Sequence, residues 1–191
     1  MKQFTLSLGL ALMSLSIQAK DEKEIKMKEK TIEVLKSKEG MQVIHQTFSS
    51  HCFNKTWSFI DKKELSKDDI ENMIATSYTS LWHWKQRKDC SAQSLSVAYW
   101  QLGRVHCLAN RLTTAKELGE KCLKVSLEGK LDAFYIGYAY EVLANASILK
   151  KDKQSAKNYL AKANEQLKLI ENKENQGYLK ADLAKLEGVL K

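Results

Sequence analysis

The sequence predicts an all-α protein built from antiparallel helical hairpins stacked as an array. First, the 191 residues include no proline and only 8 glycines, the two residues that most disfavour helix interiors. Second, apolar residues recur at spacings of three and four through most of the chain. Third, Leu143 follows Leu102 by 41 residues, and Ala156 follows Ala115 by the same distance. A repeat of this length, made of two helices, is typical of a helical-repeat array.

The N-terminus has the pattern of a secretory signal peptide. Met1-Lys2 gives a short basic start, an apolar run covers 4–17, and Ala19 supplies a small residue where cleavage would occur. The run is shorter than the roughly 20 residues of a membrane span. We therefore expect a signal peptide over 1–19, an exported protein that is periplasmic or secreted, and no integral membrane segment after cleavage.

The next segment, 20–40, alternates Lys and Glu with few apolar residues, which predicts a charged leader helix or a flexible segment. From residue 41 to 191 we expect a single α-helical domain. Its first helix, about 41–61, carries regularly spaced apolar residues. The second, about 66–87, begins at Ser66, a favourable N-cap followed by two aspartates that suit the helix dipole.

A polar break at 88–91 leads into the repeated hairpins, where Asp152 is a candidate cap for the second helix of the second hairpin. A final helix would cover the exposed apolar end of the array, as terminal elements do in repeat proteins. The remaining predicted helices are 91–109, 112–127, 132–150, 153–171 and 174–190, which makes seven after the leader.

The hairpins over about 95–170 resemble the tetratricopeptide repeat family. The resemblance is carried by Leu102-Gly103 and Leu143-Ala144 in the first helices and by Ala115 and Ala156 in the second helices. It implies that the small residues let the two helices of a hairpin approach closely. The repeat is longer than the usual thirty-four residues, and the terminal proline is missing.

A second resemblance, to a group of small exported bacterial helical proteins, covers roughly Asn54 to Leu183 and implies no particular activity. The residues that carry it are Asn54, Trp57, Ser80, His83-Trp84, Trp100, Arg104-Val105 and Ala139-Tyr140-Glu141 with Leu143-Ala144.

The net charge of +8 does not predict a nucleic-acid partner. The sequence has three arginines, Arg87, Arg104 and Arg111, and its many lysines are interleaved with acidic residues. Arginine supplies the bidentate contacts typical of phosphate and guanine recognition, so a solvated lysine-rich surface is the better interpretation.

The four cysteines leave two alternatives open, namely disulfides or buried free thiols. A bridge between Cys107 and Cys122 is disfavoured, because the turn near Asn110 would place them about 12 Å apart along the hairpin.

In tetratricopeptide arrays, the first helices of successive hairpins line a concave groove, and this resemblance implies a binding surface. Spacings of three and four place the candidate residues of each helix on one face. An aromatic ring, a guanidinium, two carboxylates and an amide on one surface suit a peptide segment or a small polar ligand. The candidate ligand-binding residues are Trp100, Arg104, Tyr138, Glu141, Asn145 and Asp182.

A purely structural alternative stays open for the same residues. Arg104 and Glu141 would then pair between neighbouring helices and fix their register, and Trp100 would be an ordinary core residue.

His83 is a further candidate. If the turn between the first two helices centres near Glu64, His45 lies opposite His83. Two facing histidines could place an acid and a base near a substrate, but they make an incomplete metal site. No HExxH or CxxC spacing, Gly-rich phosphate loop or GxSxG elbow occurs in the sequence. We therefore expect no metal, no cofactor and no catalytic residue.

These patterns lead to an exported, non-catalytic helical-repeat protein that binds a partner peptide or protein through a concave groove. The alternative is a small-molecule-binding protein or enzyme with a polar pocket that involves His83, Arg104 and Glu141.

Overall fold

A computed structural model describes residues 22–190, which form eight α-helices and no strands. The predicted all-α class is confirmed, and seven of the helices follow the leader segment as expected. Contacts divide the chain into two units, with the boundary between Ile44 and His45. The predicted signal peptide at 1–19 lies outside the described residues.

The described part of the first unit consists of helix α1, over 22–36, and the start of helix α2, Lys38–Ile60. Every side chain of α1 is exposed, including Ile25 and Ile32. A Lys28–Glu24 ion pair of 2.7 Å joins successive turns of this helix.

The second unit, from His45 onward, contains the rest of α2 and six further helices. The bounds of these six agree with the predicted ones to within two residues, whereas α2 begins three residues before the predicted start at 41. Each helix from α3 onward packs against the next one in the chain. In addition, α4 packs against α6, and α6 against α8, so these three helices form one layer. The bounds are α3 Lys67–Gln86, α4 Ala92–Leu108, α5 Leu112–Glu128, α6 Ala133–Leu149, α7 Lys153–Leu169 and α8 Lys173–Leu190.

Side-chain caps define where the helices begin. Ser66 and Asp69 form a capping box at the start of α3, which confirms the predicted cap. The carboxylate of Asp152 accepts a hydrogen bond of 3.0 Å from the backbone N–H of Ser155, as the sequence also predicted. Each cap satisfies a backbone donor that the first helical turn leaves without an internal partner.

The 41-residue repeat is also a repeat of backbone conformation. Asn110 and Lys151 end equivalent helices with φ of 55° and 63°. One residue later, the backbone N–H of Arg111 and that of Asp152 each close the turn with a hydrogen bond of 2.9 Å to the carbonyl five residues earlier. The α4–α5 and α6–α7 hairpins therefore turn in the same way.

Small residues allow close helix packing, but not all of them act within a hairpin. Ala115 and Ala156 on the second helices are fully buried. A Cβ added to Gly103 would lie 2.6 Å from a methyl carbon of Val142, which belongs to α6. Gly103 thus permits the approach of two successive first helices, whereas the resemblance implied an approach within one hairpin.

All four cysteines are free thiols, three of them buried. Cys107 packs with Ala115 and Ala146, whereas Cys122 donates to the backbone carbonyl of Ser96 at 3.2 Å. Burial raises the pKa of Cys107 to about 12 and that of Cys122 to about 11, so both thiols are poor nucleophiles.

Among the described helices, none combines the length and apolar character that crossing a membrane requires.

Candidate binding site

The candidate residues of α4 and α6 meet across the interface between the two helices. The indole N–H of Trp100 donates a hydrogen bond of 3.0 Å to Oε2 of Glu141. The guanidinium of Arg104 lies one turn further along α4, with Nη1 3.9 Å from Oε1 of Glu141 and its centre 5.1 Å from the Trp100 ring. One carboxylate thus contacts both an aromatic donor and a cation.

Asp182 joins this group from α8. Its Oδ2 lies 3.3 Å from Arg104 Nη1 and accepts a hydrogen bond of 3.3 Å from the Tyr138 hydroxyl. Its Oδ1 accepts a hydrogen bond of 2.9 Å from the ammonium of Lys185. Arg104 is therefore shared between carboxylates of two helices, at 3.3 Å from Asp182 and 3.9 Å from Glu141.

Burial dominates the protonation of Glu141, whose side chain is 3% exposed. Burial raises the pKa of this carboxyl, while the charge of Arg104 and the hydrogen bond from Trp100 act in the opposite direction and only partly offset it. The two partners of Glu141 thus recover only part of the cost of desolvating its charged form.

Asp182 behaves differently because it is less buried and has two cations beside it. Burial acts to raise its pKa, but the hydrogen bond from Lys185 and the charge of Arg104 outweigh this and lower it. Burial raises the pKa of Tyr138, and so do the charges of Asp182 and Glu141, so the Tyr138 hydroxyl stays protonated and donates.

Asn145 lies one turn beyond Glu141 on α6 and is half-buried. Two residues that were not among the predicted ligand-binding residues complete the cluster. Trp57 on α2 places its ring 5.8 Å from the Trp100 ring and 5.9 Å from the guanidinium centre of Arg104. Lys185 could have been found from its spacing of three from Asp182 on the same helix.

Two cavities lie beside helix α4. One, of about 380 Å³, is lined by residues of α2, α3 and α4, including Phe53, Asn54 and Trp84. The other, of about 180 Å³, lies between α4, α6 and α8 and includes Trp100 and Tyr138 in its wall. Val97 lines both cavities, so they are neighbours on the same surface.

His83 belongs to a separate aromatic cluster. Its Nδ1 lies 2.9 Å from Nδ1 of His45, as the symmetry of the first hairpin predicted. Phe48 stacks on the His83 ring at 5.4 Å, and the Trp82 ring meets it edge-on at 4.8 Å. These contacts lie between α2 and α3, so they do not bring His83 into a polar pocket with Arg104 and Glu141.

Burial lowers the pKa of His83, and the charge of His45 lowers it further. One ring can donate from its Nδ1 to the other, but the two facing Nδ1 atoms cannot both carry a proton without repulsion. Across residues 22–190, no group of three or more His, Cys, Asp or Glu side chains could hold a metal ion.

The chain matches no protein-family model, no curated protein and no solved structure.

Proposed function

We propose that the protein is an exported, non-catalytic binding protein whose tetratricopeptide-like array holds an extended peptide segment of a partner along its first helices. The observation that carries this proposal is the pair of cavities that meet at Val97. Neighbouring cavities on one surface suit a ligand that is longer than either of them, such as a peptide with side chains in successive pockets.

The packing of the helices supports a groove on this side. Helix α4 contacts α6, and α6 contacts α8. Helices α5 and α7, which both lie fully within the described residues, do not contact each other. An array whose first helices are close and whose second helices are spread curves toward the first helices. A partner bound there would lie beside Trp100 and Tyr138, which line the smaller cavity.

The tetratricopeptide-like assignment is supported by the buried alanines of the second helices and by the equivalent turns at Asn110 and Lys151.

Export is supported by the basic start, apolar run and small residue within 1–19. Mass spectrometry of the protein purified from its native cell tests export directly. A mature N-terminus near Lys20 is the expected result, and an intact Met1 would contradict it.

The groove is tested by filling it. The purified chain selects binding peptides from a random display library, and calorimetry then measures those peptides on the variant Val97→Trp. A bulky ring at the junction of the two cavities should weaken binding at least tenfold. The matched control is Ala161→Trp, which adds the same ring to an exposed position on the second-layer helix α7.

Thermal unfolding of both variants establishes that they remain folded. Peptides that bind Val97→Trp and the parent chain equally well would contradict the proposed groove. Loss of binding in both variants would also contradict it, since the effect would then not depend on the position of the added ring.

A further inference from the structure

The smaller of the two cavities is an aromatic box. Five of the side chains that line it are aromatic, and the others are Val97 and Ser96. Its volume of about 180 Å³ is below the range typical of pockets for whole drug-sized ligands. It can hold one side chain or one head group. The five aromatic residues are Trp100, Phe134, Tyr135, Tyr138 and Tyr178.

The rings of the box are steeply inclined to one another. Tyr138 lies 5.0 Å from Trp100 at an interplanar angle of 64° and 5.0 Å from Phe134 at 80°. Phe134 and Tyr135 meet at 85° with their centres 5.5 Å apart. Rings inclined in this way lie in different planes, as do the rings of pockets that surround a cation with several aromatic side chains.

Hydrogen bonds to carboxyl groups make two of the rings more attractive to a cation. Trp100 donates its N–H to Glu141, and Tyr138 donates its O–H to Asp182. A donor bonded to a carboxylate gives its ring more electron density, which makes the ring face more attractive to a cation.

The positive groups nearby are already engaged. Arg104 lies between Glu141 and Asp182, with its guanidinium centre 5.1 Å from the Trp100 ring, and Lys185 bonds to Asp182. Neither cation is among the residues that line the box. The lining itself therefore contributes five aromatic rings and no positive charge.

We propose that this box binds an alkylated ammonium group, carried either by a lysine side chain of the bound peptide or by a free quaternary ammonium compound. The proposal deepens the proposed function, on which the peptide source rests. Its chemistry comes from the five aromatic rings of the lining and the two carboxyl groups bonded to Trp100 and Tyr138.

The first experiment compares two probes of nearly equal shape. Choline carries a quaternary nitrogen, and 3,3-dimethyl-1-butanol has a neutral carbon in its place. Calorimetry on the mature chain, with the indole N–H resonance of Trp100 as a local reporter, should show choline binding at least tenfold tighter. Equal affinity for the two probes, or no binding of choline, would overturn the ammonium site as a site for free compounds.

The matched variants are Tyr178→Ala and Tyr78→Ala, both at well-exposed tyrosines. Tyr178 lines the box, whereas Tyr78 lies on α3 against His106. Choline affinity should fall several-fold in Tyr178→Ala and stay unchanged in Tyr78→Ala. The same loss in both variants would contradict binding in the box.

Peptides distinguish the two sources of the ammonium group. Peptides that lose affinity in Val97→Trp are resynthesised with trimethyllysine, lysine or norleucine at each lysine position. A loss of at least tenfold with norleucine at one position supports the peptide source. Failure of both choline and every cationic peptide to outbind its neutral counterpart overturns the proposal altogether.

The failures of the two proposals can be told apart. If peptides bind the groove but norleucine replaces lysine without loss, the groove stands and the peptide source of the ammonium group fails. If choline binds and Tyr178→Ala weakens it, while no peptide depends on Val97, the ammonium site stands and the peptide groove fails.

Discussion

Trp100 donates its indole N–H to the carboxylate of Glu141, which lies 41 residues further along the chain, at the equivalent position of the next repeat. One more repeat leads to Asp182, which shares Arg104 with Glu141. Equivalent positions on α4, α6 and α8 thus carry a donor, a buried acceptor and a second acceptor. The repeat itself builds the polar cluster, because its period brings these three side chains to one face.

The replacement Glu141→Gln should become relatively more stabilising as pH rises. Burial raises the pKa of Glu141 above the ordinary value of 4.5. Below that pH, this group makes its full contribution to the free energy of unfolding of the parent protein. It loses that contribution as pH rises through the folded-state pKa. Glutamine keeps an acceptor for Trp100 and does not ionise. Denaturant unfolding of both proteins between pH 4 and 8 measures the difference.

The variant Glu141→Leu provides the contrast, since it leaves the Trp100 N–H without its acceptor. It should lower the free energy of unfolding by about 1–3 kcal/mol at neutral pH. A Glu141→Gln difference that does not vary with pH would show that the carboxyl is not perturbed by burial.

Lys151→Gly should stabilise the protein by roughly 1 kcal/mol, because Lys151 adopts φ of 63°, which is unfavourable for a residue with a Cβ. The equivalent residue of the preceding hairpin is Asn110, which tolerates this conformation better. The control is Lys150→Gly at the neighbouring residue, where φ is −75° and glycine offers no relief of strain.

Thermal and denaturant unfolding of the two lysine variants test this directly. Lys150→Gly should be neutral or destabilising, because glycine there only adds freedom to the unfolded chain. Equal effects of the two substitutions would mean that the φ of Lys151 carries no strain.

Local signals in the sequence sufficed for most of the helix boundaries. Ser66 and Asp152 were predictable as caps because an N-cap depends on residues within one turn. The 41-residue period also placed Trp100, Glu141 and Asp182 on one surface, since equivalent positions of a repeat occupy equivalent faces. Their alignment follows from the period alone.

The remaining contacts depend on how separate elements meet. The guanidinium of Arg104 lies closer to the carboxylate of Asp182 than to that of Glu141. Asp182 reaches Arg104 because α8 packs against α6, and its carboxylate is the less buried of the two. Trp57 was not predicted as part of the site because α2 precedes the repeated hairpins, so the period gives no register between it and α4. The aromatic box was missed because Tyr178 enters it from a third helix.

Gly103→Ala should destabilise the protein by about 1–3 kcal/mol, since the added methyl would lie 2.6 Å from Val142 in a packed interface. Gly177→Ala is the matched control on α8, where an added Cβ meets nothing within 4 Å. There alanine should stabilise by about 0.5–1 kcal/mol through its higher helix propensity.

The double variant Gly103→Ala with Val142→Ala tests whether the clash is the cause. It should recover part of the loss, because the shorter side chain makes room for the new methyl. Additive losses in unfolding free energy would indicate that Gly103 matters for another reason.

His106→Leu should stabilise the protein and reduce its sensitivity to acid. His106 is 3% exposed, and neither ring nitrogen has a hydrogen-bond partner in the described part of the chain. Burying polar nitrogens without hydrogen bonds costs about 1–3 kcal/mol, and an apolar side chain of similar size removes that cost. The exposed His51→Leu is the control, and surface substitutions of this kind change stability by about 0.5 kcal/mol or less.

The pH dependence supplies a second readout for His106. Burial lowers its pKa below the ordinary 6.5, and the charge of Arg111 lowers it further. The contribution of a group with a lowered pKa is present above 6.5 and is lost as pH falls through the folded-state value. His106→Leu should therefore flatten the decline in unfolding free energy between pH 7 and 5, and the part that remains would include His83, whose pKa burial also lowers. An unchanged slope in His106→Leu would mean that this histidine binds a proton equally well in the folded and unfolded states.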